Sequence, residues 1–226
     1  MMSKNKKCSF LVIFDFDGVI ADSKDAYTAQ MRETLESFSN VTFSDDDIKS
    51  RVGNTDQKDD FSDFLRTDDP NIIDSAIKMY ADLTSKYAFL RTLFPNVAST
   101  LDQIKKKHYT CIVSRKSQER MEFWLKYFNI SQYFDYPIGT LERTKATAIQ
   151  KLMNYYEIPI DRTLMIGDTE FDIISAKKAS VLSVAALYDN PEPQKLIDLS
   201  PDYTIEKFED ILLILEEVCK RTSGEI

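Results

Sequence analysis

The chain has 226 residues, of which 43% are hydrophobic, enough to bury one large core or two small ones without disulfide staples. Its 37 acidic residues outnumber 29 basic ones, a net charge of −8 with no basic stripe, which argues against extended nucleic acid as a ligand. The three scattered cysteines, Cys8, Cys111 and Cys219, fit free thiols in a reducing compartment, and no apolar run is long enough to span a membrane.

Lys4, Lys6 and Lys7 ahead of an apolar run resemble the start of a secretion signal, but Asp15 and Asp17 interrupt that run and no small-residue cleavage site follows. A cytoplasmic protein is therefore expected. The run itself, Phe10-Leu11-Val12-Ile13-Phe14, reads as a buried strand that delivers Asp15-Phe16-Asp17-Gly18 to its carboxyl end, where ligands of open α/β sheets bind. Extended backbone as far as Asp17 would place both carboxylates on one side, with Gly18 permitting a sharp turn. Two acids in one small site repel unless a cation offsets them.

After Gly18 the periodicity becomes helical, predicting helices over Asp25 to Phe38, Ser44 to Arg51, Gln57 to Arg66 and Pro70 to Phe89. From Phe94-Pro95 onward strands and helices alternate, with strands expected at Tyr109 to Val113, Tyr133 to Ile138, Thr163 to Ile166, Val181 to Ala185 and Asp202 to Ile205. This pattern predicts an α/β protein with a doubly wound parallel sheet, a Rossmann-like core of residues 1–20 and 91–226, interrupted by an α-helical domain over residues 21–90.

Three further signals lie in the second half. Thr110-Cys111-Ile112-Val113 ends in Ser114, which offers a hydroxyl at a strand exit or caps the helix expected near Ser117. Lys145 opens the amphipathic segment Ala146 to Tyr156, with Arg143 as a neighbouring cation. Thr163-Leu164-Met165-Ile166 breaks at Gly167 into Asp168-Thr169-Glu170-Phe171-Asp172, a second strand, glycine and acid series. Asp172 also suits the first turn of a helix, where the macrodipole favours an acid. His108, the only histidine, is expected at the surface without chemistry.

In this order and spacing, Asp15-Phe16-Asp17-Gly18-Val19, Ser114, Lys145 and Gly167-Asp168 with Asp172 resemble the four motifs of the haloacid dehalogenase superfamily of phosphotransferases, over nearly the whole chain. The resemblance implies a Mg²⁺-dependent phosphatase acting on a small phosphorylated metabolite through an aspartyl-phosphate intermediate. Asp15 would be the nucleophile and Asp17 the general acid and base. Ser114 would bind a phosphoryl oxygen, and Lys145 would offset charge on Asp15. Mg²⁺ would be held by Asp15, the Asp17 backbone carbonyl and Asp168, with Asp172 supporting its waters or Lys145. The helical insertion would be a cap that selects the substrate. In it, Arg51, Asn54 and Thr55 stand where relatives carry a specificity loop, or form an ordinary helix-to-helix turn.

Two positions depart from the family pattern. Arg115 follows Ser114 where similar phosphatases have Asn, and either binds a second anionic group or lies outside the pocket. Ser180 stands where relatives have Gly after the last helix of the motif. A phosphosugar mutase of the β-phosphoglucomutase type shares these catalytic residues. A phosphonate hydrolase would need a Schiff-base lysine such as Lys24, Lys49 or Lys58. A regulatory protein on the same fold is the alternative of another class. Substrate identity and oligomeric state are not encoded in these motifs.

Overall fold

A computed structural model describes residues 9–51, 57–139 and 145–223. The chain divides into two compact units, Met1–Ala21 with Leu93–Ile226, and Asp22–Thr92. In chain order its strands are β1 (Leu11–Phe14), β2 (Ala21–Asp22), β3 (Thr92–Leu93), β4 (Tyr109–Ser114), β5 (Tyr136–Gly139), β6 (Thr163–Gly167), β7 (Leu182–Ala186) and β8 (Tyr203–Ile205). The helices are α1 (Lys24–Phe38), α2 (Asp45–Lys49), α3 (Gln57–Leu65), α4 (Pro70–Asp82), α5 (Val97–Lys107), α6 (Gln118–Tyr127), α7 (Ala146–Tyr156), α8 (Glu170–Ala179), α9 (Pro193–Asp198) and α10 (Ile211–Ser223).

In the first unit six parallel strands form one sheet in the order β5-β4-β1-β6-β7-β8. β1 is flanked on both sides and covered on both faces, which is why Leu11 to Phe14 form a continuous apolar run instead of alternating. Leu11 and Ile13 join Cys111, Val113 and Met165 in a core cluster with Ile149 and Leu152 of α7 and Ala176 of α8. Phe14 packs against Phe134 and stacks on Phe208. The second unit has its own core, in which Met31 and Leu35 of α1 meet Ile48, Phe61, Phe64, Ala76 and Tyr80. A separate two-stranded sheet joins β2 to β3. Among the described residues no helix is long and apolar enough to cross a membrane.

The doubly wound sheet matches the expectation; several details differ. β1 stops at Phe14, and the chain turns at once, with the Ile20 and Ala21 N–H groups donating to the Phe16 carbonyl at 2.9 and 3.0 Å. Asp17 keeps only an isolated bridge to Ala21, so the two acids do not share one extended strand. The predicted strand from Tyr133 begins at Tyr136, because Ser131–Tyr133 is a 3₁₀ turn. The long helix from Pro70 ends at Asp82, and a 3₁₀ turn occupies Ala88–Leu90. His108 is not an idle surface residue: its Nδ1 accepts the Phe10 N–H at 3.2 Å and its ring packs edge-on against Phe10.

Candidate active site

The sheet order reverses around β1, with β4 on one side and β6 on the other, and open α/β sheets bind ligands outside such strand ends. Asp15 is the first residue beyond β1, held there by its N–H, which donates to the Ile166 carbonyl of β6 at 2.8 Å. Its Oδ1 accepts the Phe16 N–H at 2.6 Å, and its Oδ2 pairs with Lys145 Nζ at 2.9 Å. Lys145, only 1% exposed, also pairs with Asp172 Oδ1 at 2.7 Å and so bridges the two acids. Its own N–H donates to Ser175 Oγ at 3.0 Å, which fixes the backbone at the start of α7.

Asp172 is fully buried in the first turn of α8, and its Oδ2 accepts from the Thr169 N–H and hydroxyl at 3.1 and 2.7 Å. The helix-cap role and the lysine contact therefore coexist in one carboxylate. Gly167 permits this approach: a Cβ there would lie 2.0 Å from the Asp172 Cβ. Asp168 follows on the same turn, its carbonyl accepting from Asn190 Nδ2 at 2.8 Å. Among the described residues its buried Oδ1 has no hydrogen-bond partner.

Ligand oxygens of Asp15, Asp168 and Asp172 lie within 4.8 Å of one another. Burial pushes the Asp15 carboxyl up; Lys145 pulls it back, and Asp172 and Asp17 push it up again, leaving it above the usual carboxylate range. Asp168 is held well above that range, first by burial and then by Asp172 and Asp15. Burial pulls the Lys145 ammonium down, but Asp15 and Asp172 outweigh it, so the group stays charged. Three carboxylates thus face one ammonium, with a buried carboxylate oxygen to spare. This oxygen-rich donor set fits a hard divalent cation such as Mg²⁺.

A family model described as haloacid dehalogenase-like hydrolase matches residues 12–186. The chain belongs to the haloacid dehalogenase-like hydrolase family. The pyrophosphatase PpaX of Bacillus mycoides is 25% identical over 213 residues, which cover 92% of this chain and 97% of that protein. A putative phosphatase from Clostridium difficile, a solved structure, superposes with a TM-score of 0.77 at 26% identity, covering 92% of this chain and 98% of its own. A predicted phosphoglycolate phosphatase from Haemophilus somnus superposes with a TM-score of 0.78, covering 95% and 99%; at 19% identity it speaks for the fold alone.

In this haloacid dehalogenase-like hydrolase the remaining candidates are placed as follows. Ser114 ends β4, is 3% exposed and accepts a long bond from the Lys116 N–H, at 3.5 Å. It is not the cap of α6; Ser117 is, accepting the Arg120 N–H at 3.4 Å. The Asp17 carboxylate is ion-paired through Oδ2 with Lys116 Nζ. Arg115 lays its guanidinium over the Phe171 ring, 5.1 Å from the centroid. Arg51 pairs with Asp63 at 2.6 Å and covers the Phe64 ring, both within the helical unit. Asn54, Thr55 and Arg143 lie outside the described residues.

Lys116, Ser175, Asn190 and Tyr188 also make contacts around the site and stand outside the motifs. Ser175 lies three residues after Asp172, on the same helical face, which is a usable signal. Lys116 lies two residues past the strand-ending hydroxyl. Asn190 and Tyr188, whose hydroxyl donates to the Val19 carbonyl at 2.5 Å, sit in an unpatterned loop after β7 and carry no signal.

Proposed function

We infer that this protein is a Mg²⁺-dependent phosphatase that cleaves a small phosphomonoester, with Asp15 as nucleophile and an aspartyl-phosphate intermediate. The observation that carries this reading is the Lys145 bridge between Asp15 and Asp172, set beside Asp168 with its unpartnered Oδ1. Asp15 and Asp168, with the Asp17 backbone carbonyl, would hold the metal. Bound there, it would offset the charge of the phosphoryl group. Asp172, whose oxygens already serve Lys145 and Thr169, acts by keeping Lys145 in place.

Lys145 keeps Asp15 oriented and offsets its charge as it attacks phosphorus. Asp17, on the turn beyond, protonates the leaving oxygen and later takes a proton from the water that attacks the aspartyl-phosphate, a contribution typically of about 10²–10⁴-fold. The Ser114 hydroxyl hydrogen-bonds a non-bridging oxygen. The helical unit serves as the cap that selects the substrate. The PpaX relatives, named pyrophosphatases, make inorganic pyrophosphate a substrate to try beside small esters.

The test is phosphate release from a panel of small phosphorylated compounds, with Mg²⁺ or with EDTA, by the wild type and Asp15→Asn. Release that requires both Mg²⁺ and Asp15 supports the reading. Isomerisation of β-glucose 1-phosphate without phosphate release would replace it with a mutase, and no reaction at all would favour the regulatory alternative.

A further inference from the structure

We propose that Lys116 is the group that reads a second negative charge on the substrate's leaving group, so that this site favours substrates in which a phosphate or carboxylate lies close to the scissile oxygen. The inference rests on the phosphatase reading above and deepens it.

Two lysines of the site, one buried and one half-buried, serve opposite ends of the reaction. Lys145 contacts Asp15, the side from which phosphorus is attacked, and is tied there by Asp172. Lys116 contacts Asp17 instead. A general acid must reach the oxygen that leaves. A cation in contact with that acid's carboxylate therefore stands on the leaving-group side.

Its surroundings make it a strong electrostatic reader. The side chain is only 11% exposed, and its ammonium lies 5.7 Å from the centroid of the Phe16 ring, so little water screens it. Its backbone stands at the exit of β4, two residues beyond Ser114, whose Oγ accepts its N–H at 3.5 Å. The ammonium can therefore exchange part of its contact with Asp17 for an anionic group carried by the leaving group without moving the chain. Arg115, the cation that the sequence offers for this task, is stacked on Phe171. A site built around a charge with little access to water discriminates against an analogue that lacks the matching group.

The experiment compares kcat/KM of the wild type, Lys116→Met, Lys116→Arg and Arg115→Met on four probes with Mg²⁺. These are inorganic pyrophosphate, 2-phosphoglycolate, 2-phosphoglycolamide and methyl phosphate. In Lys116→Met the preference for 2-phosphoglycolate over its amide, or for pyrophosphate over methyl phosphate, should fall by roughly tenfold or more, chiefly through KM. Lys116→Arg should restore much of it. Whichever preference collapses identifies the second anion as carboxylate or phosphate.

An equal loss on all four probes would make Lys116 only a positioning residue for Asp17 and would overturn the inference. Collapse in Arg115→Met but not in Lys116→Met would overturn it too. So would a wild type that turns over the neutral probes as well as the anionic ones, while leaving the phosphatase reading standing. A wild type inactive on every probe and on the wider ester panel would remove both. Thermal midpoints of the four proteins separate these outcomes from misfolding.

Discussion

Asp168 comes so close to Gly18 that a Cβ on the glycine would lie 1.9 Å from Asp168 Oδ2, and Gly18 itself has φ +72°. The turn after β1 and the acid after β6 are thus fitted to each other, and only glycine satisfies both the backbone and the contact. Gly18→Ala is expected to displace Asp168 and to lower kcat by on the order of 10²-fold, since misplacing a reacting constellation by about 1 Å costs that much. Steady-state kinetics and a Mg²⁺ titration check it: the Mg²⁺ requirement should rise with the loss.

Lys145→Met leaves Asp15 and Asp172 facing each other without their shared ammonium. Breaking a buried ion pair from one side costs about 3–5 kcal/mol. Urea unfolding of the metal-free protein near neutral pH should show a loss of that order, and phosphate release should fall by about 10²–10³-fold. Lys145→Met with Asp172→Asn should recover part of the stability and none of the turnover.

The raised Asp15 and Asp168 carboxyls give the metal-free protein a pH dependence of definite sign. In the folded state these groups hold protons more tightly than in the unfolded chain, so their contribution is most favourable below the ordinary carboxylate range and is lost as pH rises through their raised values. Thermal melts in EDTA should accordingly show stability falling across that window. Asp168→Asn should flatten the dependence, raise the metal-free midpoint near neutral pH and abolish stabilisation by Mg²⁺. A midpoint in EDTA that rises with pH through that window would contradict this.

Ser180 closes α8 in the left-handed region at φ +58°, with its N–H donating to the Lys177 carbonyl at 3.0 Å. A side chain there costs about 1 kcal/mol that glycine does not. Because the residue is exposed and outside the acid cluster, Ser180→Gly should raise the melting temperature by about 2–4 °C without shifting KM.

Local patterns account for much of what the sequence revealed. The apolar runs ending at Asp15 and Asp168 are strand ends because a central parallel strand, covered on both faces, must be apolar throughout, and its first polar residues mark where cover stops. The same logic reads the helical insertion from its period. It fails for Tyr133, because β5 is an edge strand whose short, half-exposed sequence leaves little burial to report.

The succession of strands and helices, the family motifs and the acids at two strand ends are therefore legible in the residues alone. All of these follow from burial and backbone preference within short windows. Which charges meet depends on the packed fold: Lys145 bridges Asp15 and Asp172, Lys116 pairs with Asp17 while Arg115 lies over Phe171, and His108 accepts the Phe10 N–H. Those pairings depend on β4, β1 and β6 lying side by side, an adjacency of segments some hundred residues apart that no local period records.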